Sequence, residues 1–125
     1  MNSWSNWKNF SAEEVSNIPK KVKGVYVIRE TSKPKPTHSD IIYIGSAGKG
    51  KQDIRQRLIN LLRGIRASKL KLARHYHCAS IRIKKHKKLE FSWVKCHQAP
   101  DGVEKAFLLA FKCSTGKIPE CNKCF

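Results

Sequence analysis

The glycine-rich stretch that begins at Gly45 contains the residue types of a phosphate-binding loop. It reads G-x-x-x-x-G-K up to Lys51, follows a strand-like segment and precedes a helical pattern, which is the context of a nucleotide-binding P-loop. However, Gln52 stands where such a loop has a magnesium-binding Ser or Thr, and no later strand ends in the Asp that holds the metal. The sequence therefore predicts a connector here and no nucleotide cofactor.

The cysteines offer a second kind of chemistry. Cys121 and Cys124 have the C-x-x-C spacing of half a zinc site, and Cys96, His97 and Cys113 could supply further ligands. The alternative is free thiols, because no second C-x-x-C pair exists and an odd number of cysteines without a secretion signal indicates reduced thiols. Of the two, the free thiols are the favoured interpretation.

The charge balance indicates a polyanionic partner. Lys and Arg number 26 against nine acids, a formal net charge of +17, and such an excess attracts nucleic acid. The stretch from Ile54 to Leu89 has 12 Lys and Arg and no Asp or Glu. We therefore predict DNA as the partner, with these contacts: Lys49, Lys51, Arg55, Arg63, Lys84, Lys85, Lys87 and Lys88.

Length and hydropathy set the limits. A chain of 125 residues is expected to form a single domain, residues 1–125. The first residues lack a signal-peptide core, and the longest apolar run, Ala106 to Phe111, is far too short to span a membrane. The expected location is the cytoplasm, or the nucleus in a eukaryotic cell, without membrane contact.

Hydrophobic patterns predict the elements that must position these residues. Ser11 and Glu14 form a capping-box pattern, which predicts a short helix. The segments 24–30 and 41–45 are rich in β-forming residues and predict a hairpin with a long basic loop. Asp53 is the predicted N-cap of an amphipathic, basic helix.

The carboxyl-terminal half predicts one more strand and one more helix. Residues 89–94 alternate like a strand with one buried face, and Asp101 with Glu104 forms a second capping-box pattern before a helix with a core-facing stripe. Residues 68–79 could form a short second helix, and residues 80–88 alternate like a strand interrupted by charge; the assignment remains open. The predicted fold is α/β, a mainly antiparallel sheet of about three strands flanked by helices.

Two tripeptides on the predicted hairpin resemble the signature of a known family. GVY at 24–26 and YIG at 43–45 resemble the GIY-YIG endonucleases, whose name records these tripeptides. In that family a helix after the second tripeptide bears an arginine directly before a leucine. Here Arg57 precedes Leu58 in the predicted helix. Arg55 is the alternative, because the intervening loop is about four residues longer than usual.

The resemblance extends over residues 18–123 and implies further site residues. Glu104 matches a glutamate early in a helix after the third strand, and Asn122 matches an asparagine that follows a proline near the carboxyl end. One position departs from the pattern, because Leu61 stands where many members carry His or Tyr. His75, Tyr76 or His77 could take that proton-transfer role, and nothing in the sequence requires it.

The resemblance implies metal-dependent hydrolysis of DNA phosphodiester bonds. Arg57 has a planar fork that suits charge on phosphate oxygens, and Glu104 implies one sparsely ligated Mg²⁺ or Mn²⁺ ion. Tyr26 and Tyr43 would present hydroxyls to a phosphate or water, with Tyr26 the candidate general base. The alternative for both tyrosines is that they pack in the core. Asn122 could simply cap a turn, whereas the resemblance implies that it organises the site or binds substrate.

Two functions are therefore expected from the sequence. The first is a GIY-YIG-type endonuclease with Tyr26, Tyr43, Arg57, Glu104 and Asn122 in its site. The second is a non-catalytic, basic nucleic-acid-binding module of the same fold, because composition alone does not separate binding from cleavage. With no appended recognition domain visible, specificity would come from this domain, from a homodimer or from a partner protein.

Overall fold

A computed structural model describes residues 4–31, 40–48, 53–66, 88–96, 100–119 and 122. The prediction for residues 68–87 lies outside the described part. The described elements follow one another in this order: β1 (Lys8–Asn9), α1 (Ala12–Ser16), β2 (Gly24–Glu30), β3 (Ile41–Ala47), α2 (Ile54–Arg66), β4 (Leu89–Lys95) and α3 (Pro100–Thr115). The α/β class is confirmed. No helix among the described residues has the length and apolar character needed to cross a membrane.

The sheet is open and antiparallel throughout. The strand order is β1-β4-β2-β3, so the described part of the chain has four strands where the sequence predicted about three. The missed strand, β1, has two residues, Lys8 and Asn9, which pair with Phe91 and Glu90 of β4. So short a strand carries no alternation pattern, and only its pairing partner identifies it.

Side-chain caps fix where two helices begin, as the sequence predicted. Ser11 Oγ accepts a hydrogen bond from Glu14 N at 3.3 Å and caps α1. Asp53 Oδ1 accepts from Gln56 N at 2.7 Å at the start of α2, and its Oδ2 accepts from Lys21 N at 2.7 Å. Asp53 therefore both caps α2 and ties it to the segment that leads into β2.

The sheet packs on both of its faces. The first core lies toward α1 and α2 and contains Val15, Ile18, Tyr26, Ile28, Ile42, Tyr43, Ala47, Ile54, Leu58, Leu61, Leu62 and Phe91. The second core lies toward α3 and contains Val25, Val27, Ile44, Val94 and Phe111, with Val103, Phe107 and Leu108 packed against it. The predicted core-facing stripe of α3 is thus confirmed.

The prediction that β4 has one buried face was wrong. Phe91 belongs to the first core and Val94 to the second, and Ser92 between them is also buried. Helices cover opposite faces of the sheet, so strand residues of both alternation phases are shielded from water. Burial on both faces weakens the polar–apolar alternation on which the prediction depended.

Candidate active site

Tyr26 and Tyr43 lie side by side in the first core. Tyr43 pairs with Ile28 across the hairpin, and Ile28 shares a face with Tyr26, so both tyrosine rings point the same way. Their ring centroids are 6.2 Å apart. The two side chains are only 1% and 3% exposed, so the structure brings them together as predicted and also makes them core residues.

A register shift in the hairpin is part of this arrangement. Arg29 pairs with Ile41 while Ile28 pairs with Tyr43, which leaves Ile42 as an extra residue on β3. Such a bulge interrupts the alternation of faces. Ile42 and Tyr43 consequently both belong to the first core, while Ile41 and Ile44 pack toward the second.

The glycine of the YIG tripeptide has a steric role. A Cβ atom at Gly45 would lie 2.5 Å from both Cζ and Oη of Tyr26, so the end of the phenol ring covers the Gly45 backbone. Because β3 is an edge strand, the Tyr26 ring reaches from β2 across to the edge of the sheet. Gly45 lies within the β-ladder and pairs with Tyr26, which agrees with the prediction that this glycine does not begin a nucleotide-binding loop.

Asn122 closes the outer edge of β3. Ile44 N donates a hydrogen bond to Asn122 Oδ1 at 2.9 Å, and Asn122 Nδ2 donates to Ile44 O at 2.8 Å. The side chain thus acts like one residue of an additional strand, in place of the turn cap that the sequence left as an alternative. It is buried and holds the segment after Pro119 beside the residue that precedes Gly45.

The two candidate arginines lie on different borders of α2. Helical geometry separates residues two positions apart by about 200°, so Arg55 and Arg57 flank the buried row of Ile54, Leu58 and Leu61 on opposite sides. Both side chains are partly buried. The two side chains therefore leave the helix in different directions.

Leu61 is a core residue. Its side chain is fully buried and belongs to the first core, so the position where many GIY-YIG proteins carry His or Tyr is used for packing in this chain. The stand-ins His75, Tyr76 and His77 lie outside the described residues.

Glu104 approaches from the other face. Pro100, the first residue of α3, lies against Gly48, where a Cβ atom would meet the proline ring at 2.7 Å. The helix therefore begins at the carboxyl end of β3. Glu104 follows one turn later, half-buried, on the stripe of α3 that also bears Val103 and Phe107.

The capping box predicted for Asp101 and Glu104 was wrong. The helix begins at Pro100, so Asp101 lies inside the first turn and not at the residue before it. Proline is favoured at this first position because its backbone has no N–H to satisfy. Glu104 is therefore two positions beyond Gly102, the N3 position that would complete a capping box.

The described cysteines do not converge. Cys96 follows β4. Burial raises the pKa of its thiol, and a backbone hydrogen bond with Val25 opposes this rise only in part. Cys113 is exposed and lies 13 residues beyond Pro100, about 20 Å along the helix. His97, Cys121 and Cys124 lie outside the described residues. Among the residues that are described, no three His, Cys, Asp or Glu side chains form a group.

The basic residues are only partly described. Arg63 and Lys88 are exposed, as expected for side chains that contact a backbone phosphate. Lys49, Lys51, Lys84, Lys85 and Lys87 lie outside the described residues. Their contacts to DNA therefore stay predictions.

Sequence reasoning missed how β3 organises these parts. The end of this strand is covered by Tyr26 at Gly45, bounded by Asn122 at Ile44 and contacted by α3 at Gly48. The one sequence signal was the closely spaced pair of glycines, which leave room for a neighbouring ring. A scan of protein families and searches of curated proteins and of solved structures found no match to this chain.

Proposed function

We propose that this protein is a metal-dependent endonuclease that hydrolyses DNA phosphodiester bonds through a GIY-YIG-type site. One observation carries the proposal: Tyr26, Asn122 and the helix that bears Glu104 all contact the edge strand β3 or the residue after it. The Tyr26 ring covers Gly45, the Asn122 side chain pairs with Ile44, and α3 begins against Gly48. A core-packing role for each residue separately would not require all of them to meet on one strand.

In this proposal the chain's own groups divide the work on a phosphate at the β3 edge. Arg57 binds the non-bridging oxygens, where charge builds up in the transition state. The Tyr26 oxygen, which already lies over the edge strand at Gly45, acts as a phenolate and accepts a proton from the attacking water. As the water oxygen bonds to phosphorus, the P–O bond to the leaving alkoxide breaks, and that alkoxide takes a proton from solvent. Tyr43 holds the water or the phosphate beside it, and Asn122 keeps β3 in place.

Glu104 is the residue that would hold the metal. Its carboxylate is a hard oxygen ligand, and its half-buried place one turn into α3 lies near the end of β3. A single carboxylate fits an Mg²⁺ or Mn²⁺ ion that keeps most of its water ligands. When bound, such an ion supplies positive charge for the phosphate oxygens and lowers the pKa of bound water.

Exposed positive charge supports DNA as the substrate. Arg63 is exposed on α2 and Lys88 is exposed before β4, and the whole chain has a formal charge of +17. Contacts of this kind bind the backbone without reading its sequence. The proposed substrate class is therefore DNA in general, with selectivity supplied by this domain, by a homodimer or by a partner protein.

The burial of both tyrosines favours a second candidate, a non-catalytic nucleic-acid-binding module. Tyr26 and Tyr43 are 1% and 3% exposed, so a phosphate reaches their hydroxyls only if side chains around the β3 edge move aside. A module that only binds DNA would keep the same tyrosines for packing. It would need neither Arg57 nor Glu104 at defined positions.

Incubation with plasmid, branched and single-stranded DNA distinguishes the two candidates. Each substrate is incubated with Mg²⁺, with Mn²⁺ and with EDTA, and products are separated on denaturing gels. The endonuclease predicts cleavage that EDTA abolishes and that Arg57→Ala protein lacks. Tight binding without cleavage in either metal contradicts the endonuclease and favours the module.

A further inference from the structure

The second face of the sheet contains a cavity that the proposed site does not use. It has a volume of about 440 Å³ and lies between residues 4–7, the strands and the second half of α3. This volume is within the range of about 300–1,000 Å³ that small-molecule sites occupy. We call it the aromatic cavity, because its walls include Trp4, Trp7, Phe107 and Phe111.

The rings of the aromatic cavity are held by contacts of their own. Trp4 and Phe107 pack edge to face, with ring centroids 5.3 Å apart. The Arg29 guanidinium lies 3.9 Å from the centroid of the Trp7 ring, and the same group donates to Glu90 Oε1 from Nε and Nη2 at 3.0 and 2.7 Å. Trp4 nevertheless remains 39% exposed, so part of its indole is available to a ligand.

Two hydroxyl groups add polar character to the otherwise apolar lining. Ser92 Oγ donates to Ser5 O at 2.7 Å, and Ser5 Oγ accepts from Trp93 N at 3.0 Å. These bonds fix both serines, which also line the aromatic cavity. Ser5 Oγ also lies 3.2 Å from Ser92 Oγ and donates to Asn6 O at 3.3 Å. Because a hydroxyl oxygen has two lone pairs, each serine keeps one lone pair for a further polar contact.

We propose that the aromatic cavity binds an unpaired base of a nucleic-acid strand. A base is flat, has an aromatic face that stacks on indole and phenyl rings, and carries polar edges that suit hydroxyl groups. The formal charge of +17 attracts the phosphates of the same strand, and exposed Lys8 directly follows Trp7. Aromatic walls beside cationic side chains are the combination with which proteins bind single strands.

The position of the aromatic cavity gives the base a use in the proposed reaction. Ala110 and Ser114 line the cavity and follow Glu104 on the same helix by about 9 and 15 Å. A strand with one base in the cavity would therefore run along α3 toward the end of β3. The inference rests on nucleic acid as the partner in the proposed function, and it does not depend on cleavage.

A binding assay in EDTA tests the base pocket separately from catalysis. The full chain is titrated into a fluorescent thymidine oligonucleotide and into an abasic oligonucleotide of the same length, which has the same phosphates but no bases. We expect the parent protein to prefer the normal strand by about tenfold or more, the effect of stacking one base. Equal affinity for the two strands overturns the proposal, whether or not the protein cleaves DNA.

Two variants should remove this preference without opening the core. Trp4→Ala removes the exposed indole, and Ala110→Phe fills the aromatic cavity from an exposed helix position. The matched controls are Leu109→Ala, which removes an apolar residue that is 63% exposed, and Ala106→Phe, one turn earlier on α3. Both controls should keep the preference, and thermal melting checks that all four proteins fold.

An apolar ligand is the competing occupant, and a dye tests for it. An anilinonaphthalene sulfonate dye should bind the parent and be displaced by the thymidine oligonucleotide but not by the abasic one. If Ala110→Phe excludes the dye while the preference for the normal strand persists, the cavity holds apolar ligands and the base-binding proposal is wrong.

Discussion

The two faces of the β2–β3 pair differ in how tightly they are closed. On the face toward α1 and α2, large side chains such as Tyr26, Phe91 and Leu61 are almost completely buried. On the face toward α3, the smaller second core leaves the aromatic cavity of about 440 Å³. The same two strands therefore support one dense layer and one open layer.

This difference assigns different work to the two faces. Groups on the closed face, such as the two tyrosines, are held firmly, which suits positioning but restricts access. The open face has room for a ligand. Among the described residues, its one candidate metal ligand is Glu104. The two faces come together at the carboxyl end of β3. The first residue of α3 lies against Gly48, and Ile54 at the start of α2 donates to Val22 O, just before the β2 residue that pairs with Ala47.

The largest expected effect is the loss of cleavage in Arg57→Ala, on the border of the closed face. Removing one group that stabilises transition-state charge costs about 10²–10³-fold in rate, whereas one cation among 26 changes general DNA affinity little. Arg57→Lys should also be nearly inactive, because an ammonium group lacks the planar fork. Single-turnover cleavage rates and binding titrations on the same DNA measure the two quantities.

Arg55→Ala is the matched control on the other border of α2. It should retain cleavage, because Arg55 and Arg57 point about 200° apart. An inactive Arg55→Ala together with an active Arg57→Ala would show that the phosphate binds on the other side of α2, and that the match to the family is shifted by two residues.

Glu104→Gln tests whether the helix on the open face takes part in the chemistry. We expect cleavage to fall by about 10²-fold or more, because a neutral amide is a poor ligand for a hard divalent cation. The melting temperature should stay close to that of the parent, since a Gln amide keeps the size and much of the hydrogen-bonding capacity of the Glu side chain. Cleavage rates at saturating Mg²⁺ and thermal melting are the two measurements.

The control for Glu104 is Asp101→Ala. Asp101 lies in the first turn of α3, where its negative charge stabilises the helix by about 0.3–1 kcal/mol. This variant should melt slightly earlier and keep its activity. Parental cleavage by Glu104→Gln at saturating Mg²⁺ would instead confine the active groups to the closed face.

The sequence predicted most elements of this fold but not how the sheet is covered. Capping side chains are local, so Ser11 and Asp53 marked the helix starts correctly. Segment 24–30 matches β2 residue for residue. Burial of β4 on both faces and its pairing with β1 depend on contacts between residues about 80 positions apart, which local pattern does not contain.

The sequence indicated which residues belong to the candidate site, but it did not indicate how buried they are or which residues they contact. The tripeptides correctly indicated that Tyr26 and Tyr43 lie on adjacent strands, whereas their nearly complete burial depends on α2 covering them. Asn122 has no local pattern that indicates pairing with Ile44, 78 residues earlier. The contact between Pro100 and Gly48 likewise required the three-dimensional structure.

Glycine substitutions compare the tightness of the two faces directly. A Cβ at Gly45 meets the buried Tyr26 ring at 2.5 Å, and one at Gly48 meets the half-buried Pro100 ring at 2.7 Å. Gly45→Ala should cost about 1–3 kcal/mol of unfolding free energy, because the ring has no space into which to move. Gly48→Ala should cost less, since the first turn of α3 can shift; equal costs in denaturant titrations would mean that both faces are equally rigid.

The smallest effect is expected where no single contact is decisive, in the basic segment before β4. Replacing Lys84, Lys85, Lys87 and Lys88 by Ala should leave cleavage at low salt nearly unchanged, because these cations attract DNA without touching the scissile phosphate. Binding at rising salt is the sensitive measurement. The slope of log K against log salt should decrease by about one unit for each DNA phosphate that these lysines neutralise in the parent.

The control is a triple variant in which Lys20, Lys21 and Lys23 are replaced by Ala. It removes three cations from the segment before β2, outside the acid-free stretch, and should change the slope less. Equal slopes in the four-lysine variant and the parent would mean that DNA follows the helices and the β3 edge alone, so that the two faces of the hairpin would account for the whole interface.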